Sequence, residues 1–338
     1  MNNILIFMIS VLFLIFLNEK NLEKFDPKGL LNETNIFPFR YLKDENNKKI
    51  PIVAITAPFR NNNDKKRYYT YINNNIKVIG VTAYKTFPKK ITDEAEDKYH
   101  LKDNFNYLDE LKVWLTCFDN NYIFKENQII EMSESDFYDI DTNPSVEKKY
   151  DFIYICNKDT DKCPLNGWNA INRNFNLALK CFPIMINDYK LKGLCVGRIG
   201  CKLSEKYGDA IEETDFLDYY DLQQKMRQSK FLFVPNIYDA SPRVVAECLV
   251  KGVPVLMNKS IIGGFKYINE DYTGEFFIDE NDIKTSLDNL LKNLNKYNPK
   301  KWWQNNYGIE KSSIKLRNFL YKFYPDVLEN IKMVSFVI

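Results

Sequence analysis

The sequence predicts an α/β fold in which two parallel-sheet domains face each other across a cleft. Short apolar segments alternate with amphipathic segments along most of the chain, which is the order that builds parallel sheets covered by helices. The chain has 338 residues, 45% of them hydrophobic, so it is long enough to bury the cores of two ordinary domains. The carboxyl ends of parallel strands are where such sheets bind ligands.

Residues 50–150 are predicted to form the first, Rossmann-like domain. The segment IPIVAIT, from Ile50, predicts a strand, KKRYYTYI a helix and IKVIGVTAY a second strand. The residues that follow are rich in Asp, Asn and aromatic side chains, and they predict only a helical piece near Leu108–Cys117.

Residues 151–300 are predicted to form the second Rossmann-like domain, and here the pattern is clearer. YDFIYIC is a continuous apolar segment, as expected of a strand covered on both faces. A helix (WNAINRNFNLALKCF), a strand (LKGLCVG), a short third strand (TDFL) and a helix (DLQQKMRQ) follow. FLFV, PRVVAECLVKG and VPVLMN predict strand, helix and strand, and DIKTSLDNLLKNL a last helix. Residues 301–338 are predicted to hold the C-terminal helices, PKKWWQNN and IEKSSIKLRNFLYKFY.

The N-terminus predicts membrane association. ILIFMISVLFLIFL, residues 4–17, is uninterrupted except for Ser10, so residues 1–20 are predicted to be a hydrophobic anchor and residues 21–49 a polar tether. A cleaved signal peptide remains an alternative, although no Lys or Arg precedes the segment. Lysines after the segment favour a cytosolic location for the bulk of the chain, whereas the sequon Asn32-Glu-Thr favours the opposite side.

Composition excludes several function classes. The formal net charge is +2 and no Lys/Arg-rich block occurs, so we expect no nucleic-acid partner. One histidine, seven cysteines and the absence of a C-x-x-C motif argue against a zinc site and against His-dependent nucleophilic catalysis. The cysteines are predicted to be mostly reduced core residues, with a Cys156–Cys163 pair left open for an oxidising compartment.

The stretch PNIYDASPRVVAECLVKGVPVLMN, residues 235–258, is the candidate site. Asp239 follows the strand FLFV and therefore lies at a carboxyl end. Ser241 and Pro242 are typical of a helix start, where free N–H groups can hold phosphate. Glu247 lies in an otherwise apolar helix, and its carboxylate can accept two ribose hydroxyls. The structural alternative is that Asp239 caps a turn and Glu247 is an ordinary helix residue.

This stretch resembles the donor-site signature of GT-B glycosyltransferases, particularly glycosyltransferase family 4, whose pattern is P-S-x-x-E-G-F-P-x-x-x-x-E-A-x-A-x-G-x-P-V. The positions in register are Pro235, Pro242, Glu247, Gly252, Pro254 and Val255. The family's E-x7-E pair maps to Asp239 and Glu247, so the first acid is Asp here. IIGGFKYINEDYTGEFF resembles the family's G-G-x-x-E-x-I-x-x-x-x-T-G stretch, with Gly263, Gly264 and Gly274 in place. The resemblance covers residues 150–300, and the family's Gly-rich turn has no counterpart after IPIVAIT.

The resemblance implies transfer of a sugar from a nucleotide-diphosphate sugar to a glycan, lipid or protein acceptor, with retention of configuration and without a metal or other cofactor. The first domain would bind the acceptor and the second the donor. The resemblance implies Asp239 as catalytic and Glu247, Ser241, Arg243, Gly263 and Gly264 as donor-binding. The family's Arg and Lys for the diphosphate follow the first strand of the second domain, where this chain has CNKDTDK without an Arg. Because the loop after the second strand should open on the same cleft, Arg198 is the catalytic candidate for the diphosphate, with Lys162 and Lys202 as further donor-binding candidates.

Two alternatives stay open. A metal-dependent GT-A enzyme would use a D-x-D motif, and Asp139-Ile-Asp141 and Asp159-Thr-Asp161 both fit that pattern. A catalytically inactive, membrane-tethered protein that binds a nucleotide sugar or glycan would keep the fold without turnover.

Overall fold

The computed structural model describes residues 27–83, 87–88, 101, 104–118 and 124–337. The predicted anchor, residues 1–20, lies outside the described residues. The strands are β1 (Phe39–Lys43), β2 (Lys49–Ile55), β3 (Lys77–Val81), β4 (Trp114–Thr116), β5 (Ile129–Glu131), β6 (Tyr150–Ile155), β7 (Gly193–Val196), β8 (Ile211–Thr214), β9 (Ser229–Val234), β10 (Val255–Asn258), β11 (Gly274–Phe277) and β12 (Ser335–Phe336).

The described α-helices surround these strands. They are α1 (Pro27–Leu31), α2 (Asn62–Asn73), α3 (Tyr107–Glu110), α4 (Trp168–Asn172), α5 (Phe175–Pro183), α6 (Leu203–Tyr207), α7 (Tyr219–Arg227), α8 (Arg243–Leu249), α9 (Ile283–Asn293), α10 (Pro299–Asn306), α11 (Ile309–Tyr321) and α12 (Pro325–Leu328). Among the described residues, no helix is long and apolar enough to cross a membrane.

The strands form two six-stranded sheets. The first has the order β12-β1-β2-β3-β4-β5, in which β2 to β5 are parallel and β1 pairs antiparallel with both β2 and β12. The second has the order β11-β10-β9-β6-β7-β8 and is parallel throughout. Helices cover both faces of this sheet, which is why β6, β9 and β10 are nearly continuous apolar segments.

Several predicted elements are corrected by the structure. Residues 27–49 are not a tether, since they hold α1, β1 and the start of β2. In the predicted helical piece Leu108–Cys117, α3 ends at Glu110 and residues 114–116 form β4. The third strand of the second domain is Ile211–Thr214, three residues before the predicted TDFL.

The C-terminal residues 301–338 are not a separate unit. Helix α10 packs against the second sheet through Trp303, which is fully buried. Helix α11 packs against the first sheet through Leu316 and Leu320, and β12 joins that sheet at its edge. After α10 the chain therefore returns from the second domain to the first, and α11 and β12 complete that domain.

The predicted helix WNAINRNFNLALKCF is broken into α4 and α5. Asn174 lies between them in the left-handed region, with φ 47°. Asparagine tolerates that backbone better than most residues do. The break exposes Arg173 at the end of α4, close to the loop that follows β9.

The two domains meet at the carboxyl ends of their parallel strands. Phe118, just after β4, forms an isolated antiparallel bridge with Gly263, which follows β10. Ala240 and Ile262 of the second domain pack into the buried cluster of the first domain, beside Phe137. The predicted arrangement of two facing sheets is therefore confirmed.

A disulfide joins two loops at the carboxyl edge of the second sheet. Cys163 pairs with Cys201. The Cys156–Cys163 pair that the sequence left open is therefore wrong, because the partner of Cys163 is Cys201 and not Cys156. Cys156 and the other four cysteines are buried free thiols, as predicted for core residues.

Candidate functional site

Asp239 follows strand β9 and lies at the edge of the second sheet that faces the first domain. Pro235 ends the strand because it has no N–H for the ladder, and the loop that follows carries Asp239. The Asp239 side chain is 11% exposed and pairs with the guanidinium of Arg173. Asn236 donates a second hydrogen bond to the same carboxylate oxygen at 3.1 Å. The acid is therefore held in place and neutralised by an arginine.

Glu247 lies in the middle of α8 and is only 7% exposed. Its two oxygens accept hydrogen bonds from the Tyr138 hydroxyl at 2.8 Å and from Gln223 Nε2 at 3.2 Å. Burial, together with the adjacent Glu247 carboxylate, raises the pKa of Tyr138, so this hydroxyl stays a neutral donor. A ligand hydroxyl can take the place of either donor, or donate to the Glu247 carboxylate beside it.

Ser241 does not cap α8 as predicted. The helix begins at Arg243 with Pro242 in the capping position, and the Ser241 hydroxyl bonds instead to the hydroxyl of Ser135, at 2.8 Å. That contact links the two domains beside Asp239. Arg243 is exposed on the first turn of α8. The helix has only seven residues, so its N-terminus alone is a weak anion site.

Gly263 and Gly264 pack directly against the start of α8. A Cβ on Gly263 would lie 2.1 Å from the Ala240 carbonyl oxygen. Gly264 has φ +78°, and a Cβ there would lie 2.3 Å from Cγ of Pro242. Both positions therefore require glycine for close approach.

The glycine loop is tied to the first domain by a buried ion pair. Lys266 donates to Asp136 at 2.8 Å, and the Tyr267 hydroxyl bonds to the other oxygen of that carboxylate. Asp136 is 1% exposed and also accepts from the Ser133 N–H at 3.2 Å, so protein donors take the place of water around this carboxylate. The relative position of the loop and the first domain is thereby fixed.

Arg198 does not lie on the surface of the cleft. It is 1% exposed and donates to Asp159 Oδ2 at 2.9 Å, to the Pro164 carbonyl at 3.4 Å and to Cys156 Sγ at 3.2 Å. Its guanidinium also lies 4.7 Å from the centre of the Phe175 ring. With its donors occupied and water excluded, Arg198 holds two loops together, which corrects its predicted role as the diphosphate's partner.

The two predicted lysines are exposed on the loops that the disulfide joins. Lys162 lies on the loop after β6. Lys202 follows β7 and pairs with Glu205 at 2.9 Å, with both side chains 68% exposed. Such a surface pair contributes little to stability and leaves the lysine free to move.

The structure thus brings Asp239, Ser241, Gly263 and Gly264 together around the start of α8, with Glu247 further along that helix. Sequence reasoning missed Arg173, Tyr138 and Gln223. Nothing in the donor-site pattern points to them, because Arg173 is 66 residues from Asp239 and Tyr138 is 109 residues from Glu247.

Exposed aromatic side chains lie at the same edge of the sheet. Phe216, Tyr219 and Tyr220, on the loop after β8 and the start of α7, are 72%, 66% and 70% exposed. Partial burial, and then the negative charge of Glu247, raise the pKa of Tyr219. Aromatic faces beside a polar acceptor are typical of a ligand site.

The acids of both D-x-D motifs have structural partners. Asp139 accepts from the Ile309 N–H at 2.9 Å, and Asp141 pairs with Arg227 at 2.6 Å. Asp159 holds Arg198 and accepts from the first N–H groups of α4, and Asp161 pairs with Lys158. Within the described ranges, no three His, Cys, Asp or Glu side chains are grouped as metal ligands.

Comparison with solved structures identifies the architecture. A glycosyltransferase from Rickettsia africae matches with a TM-score of 0.54 and 16% identity, over 82% of this chain and 77% of that one. The galactosyltransferase WaaB matches with a TM-score of 0.55 and 12% identity, over 80% of this chain and 75% of that one. The chain has the GT-B fold.

The GT-B fold overturns the GT-A alternative. TarM also matches, with a TM-score of 0.53 and 14% identity over 75% of this chain, and the chain spans about half of TarM, 53% of its length. No protein-family model matches the sequence, and no curated protein matches it. At these identities the likeness shows the fold alone, so function has to be argued from the site.

Proposed function

We propose that this GT-B protein is a glycosyltransferase that moves a sugar from a nucleotide-diphosphate sugar to an acceptor hydroxyl on a glycan, lipid or protein. The observation that supports it most is that Asp239 lies at the carboxyl edge of the second sheet, which faces the first domain, and that Glu247 lies on the helix that begins there. That edge is where parallel α/β sheets bind nucleotides.

Each end of the donor has a chemically suitable partner. The ribose hydroxyls would bond to Glu247, taking the place of Tyr138 or Gln223 as donors to its carboxylate. Exposed aromatic rings of the loop after β8 offer faces on which a nucleobase stacks. The sugar would lie against the Gly263–Gly264 backbone, where the absence of side chains allows close approach.

Arg173 replaces Arg198 as the cation in the proposed mechanism. It pairs with Asp239 and is 31% exposed, so its remaining N–H groups can reach a ligand. As the bond from the sugar to the diphosphate breaks, negative charge develops on the leaving oxygen, and a guanidinium held in place stabilises it. In this mechanism side chains, rather than a metal ion, stabilise the charge of the leaving diphosphate.

Retention of configuration is the proposed stereochemical outcome. The acceptor hydroxyl would attack on the face from which the diphosphate leaves, and the departing phosphate oxygen would take its proton. That step requires no enzymic general base. Asp239, already neutralised by Arg173, would orient the sugar hydroxyls rather than abstract a proton.

One observation favours an inactive binding protein as the second candidate. Both acids already have partners within the protein, Glu247 with Tyr138 and Gln223, and Asp239 with Arg173 and Asn236. A panel of UDP- and GDP-sugars separates the two candidates. A glycosyltransferase binds one donor and releases its nucleotide when an acceptor is supplied, with no loss of rate in a chelator, whereas a binding protein gives a thermal shift without release. No binding of any nucleotide sugar would contradict both the glycosyltransferase and a binding protein for nucleotide sugars.

A further inference from the structure

The sequence holds two N-x-S/T sequons, and the structure makes them unequal. In Asn258-Lys259-Ser260, Asn258 is 1% exposed, and its Nδ2 donates to the Pro235 carbonyl at 3.3 Å. In Asn32-Glu33-Thr34, both Asn32 and Thr34 are exposed at the end of α1. The Asn amide nitrogen is the atom that carries an N-linked glycan, and such glycans occupy surface loops. Of the two sequon asparagines, Asn32 is exposed in the folded protein and Asn258 is buried.

The disulfide supplies an independent indication of the same compartment. Cys163 and Cys201 are the two partly exposed cysteines, and their Cα atoms lie 4.8 Å apart, within the range that a disulfide spans. The other five cysteines are buried and unpaired. Disulfides persist in secretory and extracellular compartments and are rare in the cytosol. The cross-link therefore indicates an oxidising surrounding for the carboxyl-edge loops.

A glycan on Asn32 would leave the candidate site open. The carbonyl of the neighbouring Glu33 accepts a hydrogen bond from Lys49, which is the first residue of β2. The sequon thus lies at the amino end of the first sheet, whereas Asp239 lies where the carboxyl ends of the two sheets meet. Glu33 also pairs with Arg67 of α2, which holds the segment against the domain with the Asn32 side chain outward.

We propose that Asn32 carries an N-linked glycan and that the described part of the chain folds in an oxidising lumen, where Cys163 and Cys201 form their disulfide. In the first reaction, a lipid-linked diphospho-oligosaccharide donates its sugar. The bond from sugar C1 to phosphate breaks, a bond from C1 to Asn32 Nδ2 forms, and the amide proton leaves with the phosphate. In the second, the two thiols lose two electrons and two protons to a disulfide-bearing oxidant, which becomes a dithiol. Neither step depends on the proposed glycosyltransferase activity.

The test is expression of the full chain in a eukaryotic cell with a secretory pathway, followed by digestion with an endoglycosidase that removes N-glycans. Wild type is expected to shift in mobility on digestion. Asn32→Gln and Thr34→Ala are expected to lose the shift, while Ser260→Ala, which destroys the buried sequon, keeps it. Non-reducing peptide mapping is expected to yield the linked Cys163–Cys201 peptide.

Three results would overturn the proposal. One is a wild-type chain that endoglycosidase leaves unchanged. Another is a shift that persists in both Asn32→Gln and Thr34→Ala. The third is alkylation of Cys163 and Cys201 as free thiols when intact cells are treated with a membrane-permeant reagent.

Discussion

The hydroxyl of Tyr138, on the connection between the two domains, donates a hydrogen bond of 2.8 Å to the carboxylate of Glu247, on helix α8 of the second domain. Gln223 occupies the other oxygen of that carboxylate. The acid assigned to the ribose is thus oriented by groups from two elements before any ligand binds. Such support is what a preorganised site requires.

Tyr138→Phe is expected to weaken both the fold and donor binding. It leaves a buried acceptor oxygen without its donor, which costs about 1–3 kcal/mol of unfolding free energy. Donor KM should rise several-fold, because Glu247 loses its fixed orientation. Urea denaturation and steady-state kinetics measure the two effects. Tyr297→Phe is the matched control, since Tyr297 donates to the equally buried Glu275 at 2.6 Å. A KM change of the same size in both variants would contradict the special role of Tyr138.

Arg173→Ala is expected to lower turnover about 10²–10³-fold, because it removes the cation assigned to the leaving diphosphate, and one such donor is worth about 2.7–4 kcal/mol of barrier. Arg67→Ala is the control, since it breaks a pair with Glu33 at the amino end of the first sheet, in which the arginine is 28% exposed. That control should lose stability and keep its turnover per folded molecule. Equal turnover losses would show that Arg173 acts only through the fold.

Arg198→Met tests the corrected role of Arg198. Removing the cation leaves the carboxylate of Asp159, 11% exposed, without a neutralising charge, so unfolding free energy should fall by about 3 kcal/mol. Lys202→Met removes an exposed charge on an adjoining loop and should change stability by less than about 1 kcal/mol. Denaturant titration of both variants measures these two changes in unfolding free energy. An Arg198→Met protein of wild-type stability with a raised donor KM would restore Arg198 to the donor site.

Stability is expected to depend on pH through Asp141. Burial raises the pKa of this carboxyl, but the hydrogen bonds from Arg227 and Asn143 outweigh burial and hold the pKa below its usual range. A depressed pKa stabilises the folded state above the unfolded value of about 3.9, and that contribution is lost as pH falls below it. The gap in unfolding free energy between wild type and Asp141→Asn should therefore be constant from pH 7 to pH 5 and shrink toward pH 3. A gap that widens on acidification would refute this assignment.

Much of the second domain follows from its sequence. The strands β6, β7, β9 and β10 are apolar segments between helices of ordinary period, and local pattern is enough to place them. The first domain is harder, because the edge strand β12 pairs with β1 across nearly the whole chain, as Phe336 does with Leu42. Nothing local to Ser335–Phe336 specifies that partner.

The candidate site divides in the same way. Asp239, Glu247 and the two glycines lie in one short stretch or its continuation, so spacing finds them. The expectation that the loop after the second strand opens on the cleft assigns Arg198 to the diphosphate, but the side chain is buried against Asp159, 39 residues earlier. Arg173 was missed because only the break between α4 and α5 brings it to Asp239. Ion pairs between residues far apart in the chain cannot be read from a local pattern in a single sequence.

Comparing Glu247→Gln with Glu275→Gln in a nucleotide-release assay tests the proposed donor site most directly. Both glutamates are 7% exposed and accept a tyrosine hydroxyl, but Glu275 is the second residue of β11, toward the amino end of that strand. If Glu247 binds the donor, Glu247→Gln lowers turnover with the preferred nucleotide sugar at least tenfold, while the Glu275→Gln protein keeps the wild-type rate. Wild-type turnover in Glu247→Gln, with both variants folded, would contradict the assignment of Glu247 to the donor.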